Sequence, residues 1–547
     1  MSDDNSDASK QINLQENSKR MRTRIGPKKA ARIAAGEDRK KGGKSSSASE
    51  DPKKSSKKGQ TRTDKTGRAI KSAQKGIASR KLALETLLKI EKDGAYANLC
   101  LKAAFEKSAL SEQDRAFVTA LVQGVLRNQS MIDHELTKVS KEPLAKMPSL
   151  LRNLLRMAVF QLSNMSETPE HAVLDTSNQL ARALGHEGLV RYTNGVLRGY
   201  LRGRQAEDNK VFEIDIDDAN SLGIKYSLPV WLIERWKAYY GKKVMLDLLE
   251  WSKKEPPLTV RVSEVNVEPQ TMLDIMNKNG FAARAGHLVS ACLVFEGANE
   301  GKSFRGSPSK MPGFEDGFFV VQDEAAAFVT LVLSPQKGET VVDLCAAPGG
   351  KTIHIAEILE NTGRVIAVDK HESRLKLVKD ARLKQGLKNL ETVTADGRQF
   401  KLERQADRVL VDAPCSGTGV INRRTDIRTN REPADIEALT EIQKALLDNA
   451  ASLVKPGGIL VYSTCSLEPE ENIGVIEWFL STHPEFKGSS LLPFVPERLH
   501  AKWFCDESEK SLPAVSSKSA AQSGHIQLIP TVHGVAGFFI CRLQKES

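Results

Sequence analysis

The chain is expected to fold into three units: an all-α domain, a small α+β module, and an α/β domain built on a parallel sheet. Three observations carry this expectation. From about Ser79 to Arg204, apolar residues recur at helical spacing. From Leu258 to Phe295, short strand-like runs surround a single helical stretch. From about Phe318 onward, strand-like runs alternate with helix starts, and the strands run out into turns of small or polar residues. Alternation of that kind implies parallel strands joined by right-handed crossovers.

The N-terminal stretch stands apart by charge. Residues 1–76 hold 21 Lys+Arg against 9 Asp+Glu, whereas the rest of the 547 residues hold 59 against 60. The formal net charge of +11 is therefore a property of a tail and not of the folded body. Rich in Ser, Gly, Lys and Arg and poor in aromatics, this tail cannot bury enough surface to fold and is expected to be disordered. It could attract nucleic acid by counterion release, without reading sequence. The plain alternative is a solubilising tail.

Residues 77–205 read as the helical domain. Leu84, Leu87, Leu88 and Glu91 follow helical spacing, and Ser111 with Asp114 makes a weakened capping box. Phe117, Val118, Leu121, Val122 and Val125 form one apolar stripe, Pro148 opens the next helix, and Pro169 another. These stripes are core material before they are a binding face. Residues 206–225 read as a linker. In the module at 226–320, Pro229 precedes a short helical piece, Leu258–Val262 reads as a strand, a helix follows near Pro269–Asn279, and two strands lie near Phe281–Ala285 and Cys292–Phe295.

The α/β domain spans 321–547. Its strands are expected to end at Leu344, Asp369, Val393, Asp412 and Ser463, with helices starting near Lys351, Glu372, Pro433 and Pro469. The stretch from Ile526 to Leu543 reads as final strands of antiparallel sense. No apolar run approaches the ~20 residues of a membrane helix, and no apolar signal core follows Met1. The seven cysteines are scattered without Cys-x-x-Cys spacing, which argues against a zinc site or a disulfide framework and fits a reducing cytoplasm.

In an open parallel sheet, ligands bind beyond the carboxyl ends of the strands. Three strand ends here carry chemistry. The first runs Cys345-Ala346-Ala347-Pro348-Gly349-Gly350-Lys351-Thr352. It resembles the end of a P-loop, but Cys345 stands where the required Gly would be, so an NTPase is not expected. What remains is a turn of small residues that lets a ligand approach the backbone closely, followed by a helix N-terminus. Asp369 ends the next strand, where a ribose-hydroxyl acceptor stands in nucleotide-binding sheets. Asp396 ends the third and could accept from an adenine amine. A nucleoside-type ligand without a polyphosphate fits, and S-adenosylmethionine is the natural candidate. The other two ends are Asp412-Ala413-Pro414-Cys415-Ser416-Gly417 and Ser463-Thr464-Cys465-Ser466. A lone strand-end cysteine is normally a packing residue. Two of them on neighbouring strands, beside a nucleotide-type loop, point to thiolate chemistry on a bound base.

Taken together and in this order, the three motifs resemble the catalytic domain of the bacterial Sun/RsmB-type RNA cytosine methyltransferases, over residues 339–480. The helical region resembles that family's NusB-like RNA-binding domain, and the α+β module matches near Pro256–Gly297. The resemblance implies a multi-domain protein with a Rossmann-like class I methyltransferase domain and S-adenosylmethionine as cofactor. It implies that Cys465 attacks carbon 6 of a cytosine, that Cys415 assists release as a base, and that Asp412 bonds the cytosine edge. It implies a cofactor site lined by Cys345, Ala346, Ala347, Pro348, Gly349, Gly350, Lys351, Asp369, Asp396 and Asp412. The expected substrate is 16S ribosomal RNA, with no metal, no membrane and a monomeric, cytoplasmic protein. Alternatives are a tRNA methyltransferase, a methyltransferase for DNA or protein, and a non-catalytic RNA-binding or ribosome assembly factor. Three positions depart from the family pattern: Thr425 in Asn422-Arg423-Arg424-Thr425-Asp426, Ala536 before Gly537-Phe538-Phe539, and Ser263 after Arg261-Val262. None of them removes a reacting group.

Deleting residues 1–76 tests the tail. The expected outcome is unchanged cofactor affinity, weaker RNA binding and a shallower slope of log affinity against log salt. An unchanged slope, measured on the same RNA, would remove the tail from RNA binding.

Overall fold

In a computed structural model, residues 65–184, 187–206, 215–295, 307–504 and 514–547 are described. The first described element is the helix Lys65–Asp93. Its opening turns lie inside the stretch expected to be tail, so the folded part begins earlier than position 77. Adding residues to an existing helix is far easier than nucleating one, and the run from Lys65 has no Pro to stop it. Residues 1–64 of the expected tail lie outside the described residues, and the deletion that isolates the tail ends at 64.

Six further helices complete the helical domain: Ala97–Glu106, Glu112–Arg127, Gln129–Val139, Ser149–Asn164, Glu170–Leu184 and Glu187–Ala206. Ser111 caps the second of these, its hydroxyl accepting from the Asp114 amide at 3.3 Å. Val118, Leu121, Val122 and Val125 point into a core shared with Leu84, Leu87, Leu154 and Leu155. Gly124 sits where a Cβ would lie 2.0 Å from the Phe160 ring, so only glycine lets those two helices approach. Arg156 forks onto Asp133 with two bonds of 2.7 Å.

The expected linker is half structure. Ala219–Tyr226 is a helix whose N-cap, Asp218, accepts from the Asn220 and Ser221 amides. Next, Val230–Lys253 runs 24 residues as a helix bent at Gly241, where a short piece was expected. Leu222, Tyr226, Leu232, Trp236 and Met245 form a core with Ile421, Ile427, Leu467 and Ile529 of the C-terminal domain. The pair thus seats on the C-terminal domain. Its apolar residues find their partners ~200 positions away, beyond the reach of any local pattern.

Four strands build the small sheet: β1 (Leu258–Val262), β2 (Ala283–Ala285), β3 (Cys292–Phe295) and β4 (Phe319–Val321), all antiparallel in the order β2-β3-β1-β4. Strand β4 was not among the expected strands and lies at the expected boundary between module and α/β domain. It pairs with β1, Val260 opposite Val321, so the module runs slightly past 320 and the α/β domain opens with the helix Glu324–Leu333.

The large sheet contains β5 (Thr340–Asp343), β6 (Arg364–Asp369), β7 (Leu390–Thr394), β8 (Ala406–Asp412), β9 (Val454–Thr464), β10 (Phe486–Gly488), β11 (His525–Leu528) and β12 (Phe538–Lys545). Its order is β10-β12-β9-β8-β5-β6-β7, with β11 also on β12. Strands β5 to β9 are parallel, and β10, β11 and β12 pair antiparallel, as expected for the last two. The strand order reverses between β5 and β8, which opens a crevice at their carboxyl ends.

One buried ion pair ties the small sheet to the crevice. Arg261 on β1 bonds Gln322 at 2.7 Å and pairs with Glu357 on the helix Gly350–Ile358 that follows the Gly turn. The neighbouring departure, Ser263, is buried and structural: its amide donates to Phe318 and its hydroxyl accepts from Asn266. Breaking a buried pair from one side strands a charge and costs about 3–5 kcal/mol. Arg261→Leu is therefore expected to lower the urea midpoint sharply. Adding Glu357→Leu should recover much of the loss, as equilibrium unfolding of both variants would register.

Candidate active site

Parallel pairing sets the site. Asp412 on β8 lies in register with Ser463 on β9, so the residues that follow leave the sheet side by side. Pro414 ends the regular strand. The result is that Cys415 Sγ and Cys465 Sγ stand 3.3 Å apart. Cys465 is held below the ordinary thiol range: the hydrogen bond from Cys415 stabilises its thiolate, burial opposes this, and the Arg424 and Lys351 cations add to the lowering. Cys415 is held well above that range by donating to Cys465 and by burial. The pair is thus asymmetric, with Cys465 the more acidic thiol.

A buried carboxylate staples the two turns together. Fully buried Glu471 accepts from the Ser416 amide at 2.8 Å, from the hydroxyls of Ser416 and Ser466, and from Gln443 at 3.0 Å. Gln443 also donates to Pro414 O at 2.9 Å. One side chain therefore fixes the residue after each thiol. A second clamp is backbone: Gly419 donates to Cys465 O at 3.0 Å, and Gly537 donates to Gly419 O at 2.8 Å. A Cβ on Gly419 would lie 2.2 Å from Gly537 O, so the crossing needs glycine. Ala536 beside it is buried in the core.

Asp412 is half-buried. One oxygen accepts from Ser463 Oγ at 2.9 Å, and the other pairs with Lys351 Nζ at 2.8 Å. Lys351, expected on the cofactor loop, thus turns its ammonium to the carboxylate beside the thiols. The rest of that loop lies at the end of β5. Ala346 and Ala347 are buried, and Gly349 caps the helix at φ 112°, where a side chain is strained and its Cβ would press on Val378 at 3.1 Å. Cys345 is pushed up by burial, as befits a packing thiol. Asp343, not among the expected residues, is buried beneath the turn and accepts from Thr352 Oγ1 at 2.7 Å and the Cys345 amide at 3.3 Å. Burial raises its carboxyl to about 7.

At the end of β6, Asp369 accepts from the Ala347 and His371 amides and pairs with Arg374 at 3.3 Å. Beyond β7, Asp396 is held down to about 2 by its hydrogen bonds from Arg398. Asp412, Asp343, Asp369 and Asp396 therefore stand at or just beyond the carboxyl ends of the adjacent strands β8, β5, β6 and β7, with the small-residue turn among them. Glu471, Gln443, Asp343 and Arg424 were missed by sequence reasoning. Glu471 lies in the short 3-10 turn Pro469–Glu471 that follows the thiol turn, but its partner Ser416 is 55 residues distant. Among the described residues no three His, Cys, Asp or Glu side chains cluster as metal ligands, and no helix is long and apolar enough to cross a membrane.

Five parallel strands continued by an antiparallel one, with the crevice at the β5/β8 reversal, define a Rossmann-like methyltransferase domain. The chain belongs to the RsmB/F family of 16S rRNA methyltransferases. The family model for 16S rRNA methyltransferase RsmB/F matches residues 330–544, that of the NusB family 77–202, and that of the RsmF/B-like ferredoxin-like domain 228–300. A probable ribosomal RNA small subunit methyltransferase B of Bacillus subtilis is 35% identical over 477 residues, covering 86% of this chain and all of the relative. Ribosomal RNA small subunit methyltransferase B of Escherichia coli O1:K1 is 33% identical, covering 73% of this chain and 89% of the relative. The crystal structure of PH0851 superposes with a TM-score of 0.69 at 28% identity, covering 86% of this chain and 98% of its own.

The thiol asymmetry has a direct readout. Because the Cys465 value is lowered, its thiolate forms at lower pH than that of an ordinary thiol and is lost as pH falls through that lowered value. Alkylation of Cys465 should therefore titrate at lower pH than that of an ordinary thiol, and that of Cys415 at higher pH. Cys415→Ala removes the donor and should move the Cys465 profile upward. Peptide mass spectrometry after iodoacetamide pulses across pH measures both. Equal profiles would rule out the asymmetry.

Proposed function

We propose that the chain is an S-adenosylmethionine-dependent RNA cytosine-5 methyltransferase acting on 16S ribosomal RNA through a covalent Cys465 adduct. The observation that carries this reading is the thiol pair 3.3 Å apart beside the Asp412–Lys351 pair. Family membership supports the methyltransferase class and the small-subunit substrate.

The donor set fits an adenosyl ligand. A nucleoside needs close backbone approach and acceptors for hydroxyls and an amine. The Cys345–Lys351 turn gives the first, and Asp369 and Asp396 give the second. When bound, S-adenosylmethionine supplies an electrophilic methyl group.

The chain's own residues supply the rest. Cytosine carbon 5 is a poor nucleophile until a thiolate adds at carbon 6. Cys465 forms the sulfur–carbon bond, and the displaced ring electron pair makes carbon 5 nucleophilic. Asp412 accepts from the cytosine edge, and Lys351 offers positive charge to the electron-rich ring. After carbon 5 is methylated, its proton must leave. Cys415, once its own proton has passed to solvent, takes that proton. The carbon–hydrogen electrons then restore the ring double bond as the carbon–sulfur bond breaks and its pair returns to Cys465.

Cys465→Ala is expected to abolish methylation while cofactor binding persists, since the thiol lies outside the Gly turn. Cys415→Ala should stop at the methylated adduct and yield a denaturant-resistant protein–RNA complex. The double variant should not form it. A trapped complex in Cys465→Ala instead would mean the thiol roles are reversed. Mapping 5-methylcytidine in 16S ribosomal RNA with and without the protein tests the substrate.

A further inference from the structure

The helical domain bonds the segment that follows the Cys415 turn. The Ala97 amide, at the start of the helix Ala97–Glu106, donates to Asp426 Oδ1 at 3.3 Å. Next to it, Arg127 donates to Asn422 O at 3.1 Å, and the departure residue Thr425 donates to Gln123. A proline at 425 could not make that last contact. These bonds hold the segment 422–426 against the helical domain. The same segment grows out of the turn clamped to Cys465, with the Arg424 amide on Val420 O at 2.9 Å.

Within this seam Arg424 is exposed, and its guanidinium lies 5.7 Å from the centre of the Tyr96 ring. The other cations flanking the thiols are engaged by carboxylates: Lys351 by Asp412, Arg423 by Asp323 and Arg431 by Asp435. Among the described residues, no carboxylate forms an ion pair with Arg424. Asp426 directs an oxygen to the Ala97 amide instead. Tyr96 and Leu99, one helical turn apart, are 45% and 60% exposed, which makes them two of the few large apolar side chains left on the surface. An exposed ring with an unpaired guanidinium over it is how proteins hold a single-stranded nucleotide: the base stacks, and the cation takes the phosphate.

We propose that Arg424 and Tyr96 together form a subsite for a nucleotide next to the target cytosine, Arg424 binding its phosphodiester and Tyr96, with Leu99, its base. The subsite joins two domains, so the helical domain takes part in substrate placement at the thiols. This rests on the reading of the crevice as an RNA cytosine site.

The test is binding of protein-free 16S ribosomal RNA to the full chain, across salt concentrations. Every variant carries Cys465→Ala so that no adduct forms. Arg424→Gln should weaken binding about tenfold and flatten the salt slope by about 0.7–0.9, the share of one phosphate. Arg424→Lys should keep the slope. Tyr96→Ala should weaken binding about tenfold with the slope retained, as loss of one stacked base does. Tyr96→Leu should restore little of it, whereas Tyr96→Phe should match the parent. An unchanged slope in Arg424→Gln, or parental affinity in Tyr96→Ala, overturns the proposal. Should Arg424→Gln fail to fold, as judged by melting and cofactor affinity, the exposed Tyr96 series decides. If these dependences hold but Cys465→Ala still methylates, the catalytic reading fails and the subsite stands. If Cys465 is essential and the slope is unchanged, only the subsite fails.

Discussion

Strands β8 and β9 run parallel and in register, and this single pairing decides where the reacting groups stand. Asp412 faces Ser463, so two strand-end turns leave the sheet at one point and carry their thiols into contact. A shift of one residue would send one thiol to the opposite face of the sheet. Hydrogen-bonded and packed neighbours then hold the register against slippage. Glu471 alone bonds both turns, and Gly419 and Gly537 cross so closely that no side chain fits between them. A buried carboxylate with every oxygen engaged is stable only while all its donors stay in place. Positional accuracy at the thiols is thus a property of the network around them.

The segment between the two thiol motifs is the hub of the molecule. Residues 416–431 touch the Glu471 network, the bent helix pair, the small sheet and the helical domain. Arg428 is buried and donates to carbonyls of Tyr226 and Ser252, so the helix pair ends on it. Lys253, from the same pair, donates to Arg127 O at 3.0 Å and Asn128 at 2.8 Å in the helical domain. Burial lowers Lys253 to about 7 and Arg428 to about 9. Cations placed this way answer backbone carbonyls at the helix ends and not carboxylates. The junction therefore depends on domain docking, since either half alone would leave buried charge unanswered.

Such an arrangement gives the domains distinct tasks on one surface. The large sheet supplies the carboxylates, the Gly turn and the thiols. The small sheet braces the helix after the Gly turn through Arg261 and Glu357. The helical domain approaches the crevice through Tyr96 and the 422–426 segment.

The sequence by itself determined the strand ends, the Gly turn, the two thiol turns and the helical domain, because each has a local signature. Strands β1 and β3 fall on their expected residues, and β5 to β9 end within one residue of the expected positions. Period-2 and helical apolar patterns, and proline or glycine at fixed offsets, are short-range facts. Only the tertiary structure decided the rest. The pairing of β4 with β1 added an unexpected fourth strand to the small sheet. The expected linker became a helix because its apolar residues meet Ile421 and Leu467 across the fold. Thr425 acquired a purpose only against Gln123, and Tyr96 only against Arg424. The asymmetry of the two thiols likewise follows from a hydrogen bond between residues 50 positions apart. Contacts of that kind depend on which surfaces meet once the domains pack, and no local pattern of residues encodes them.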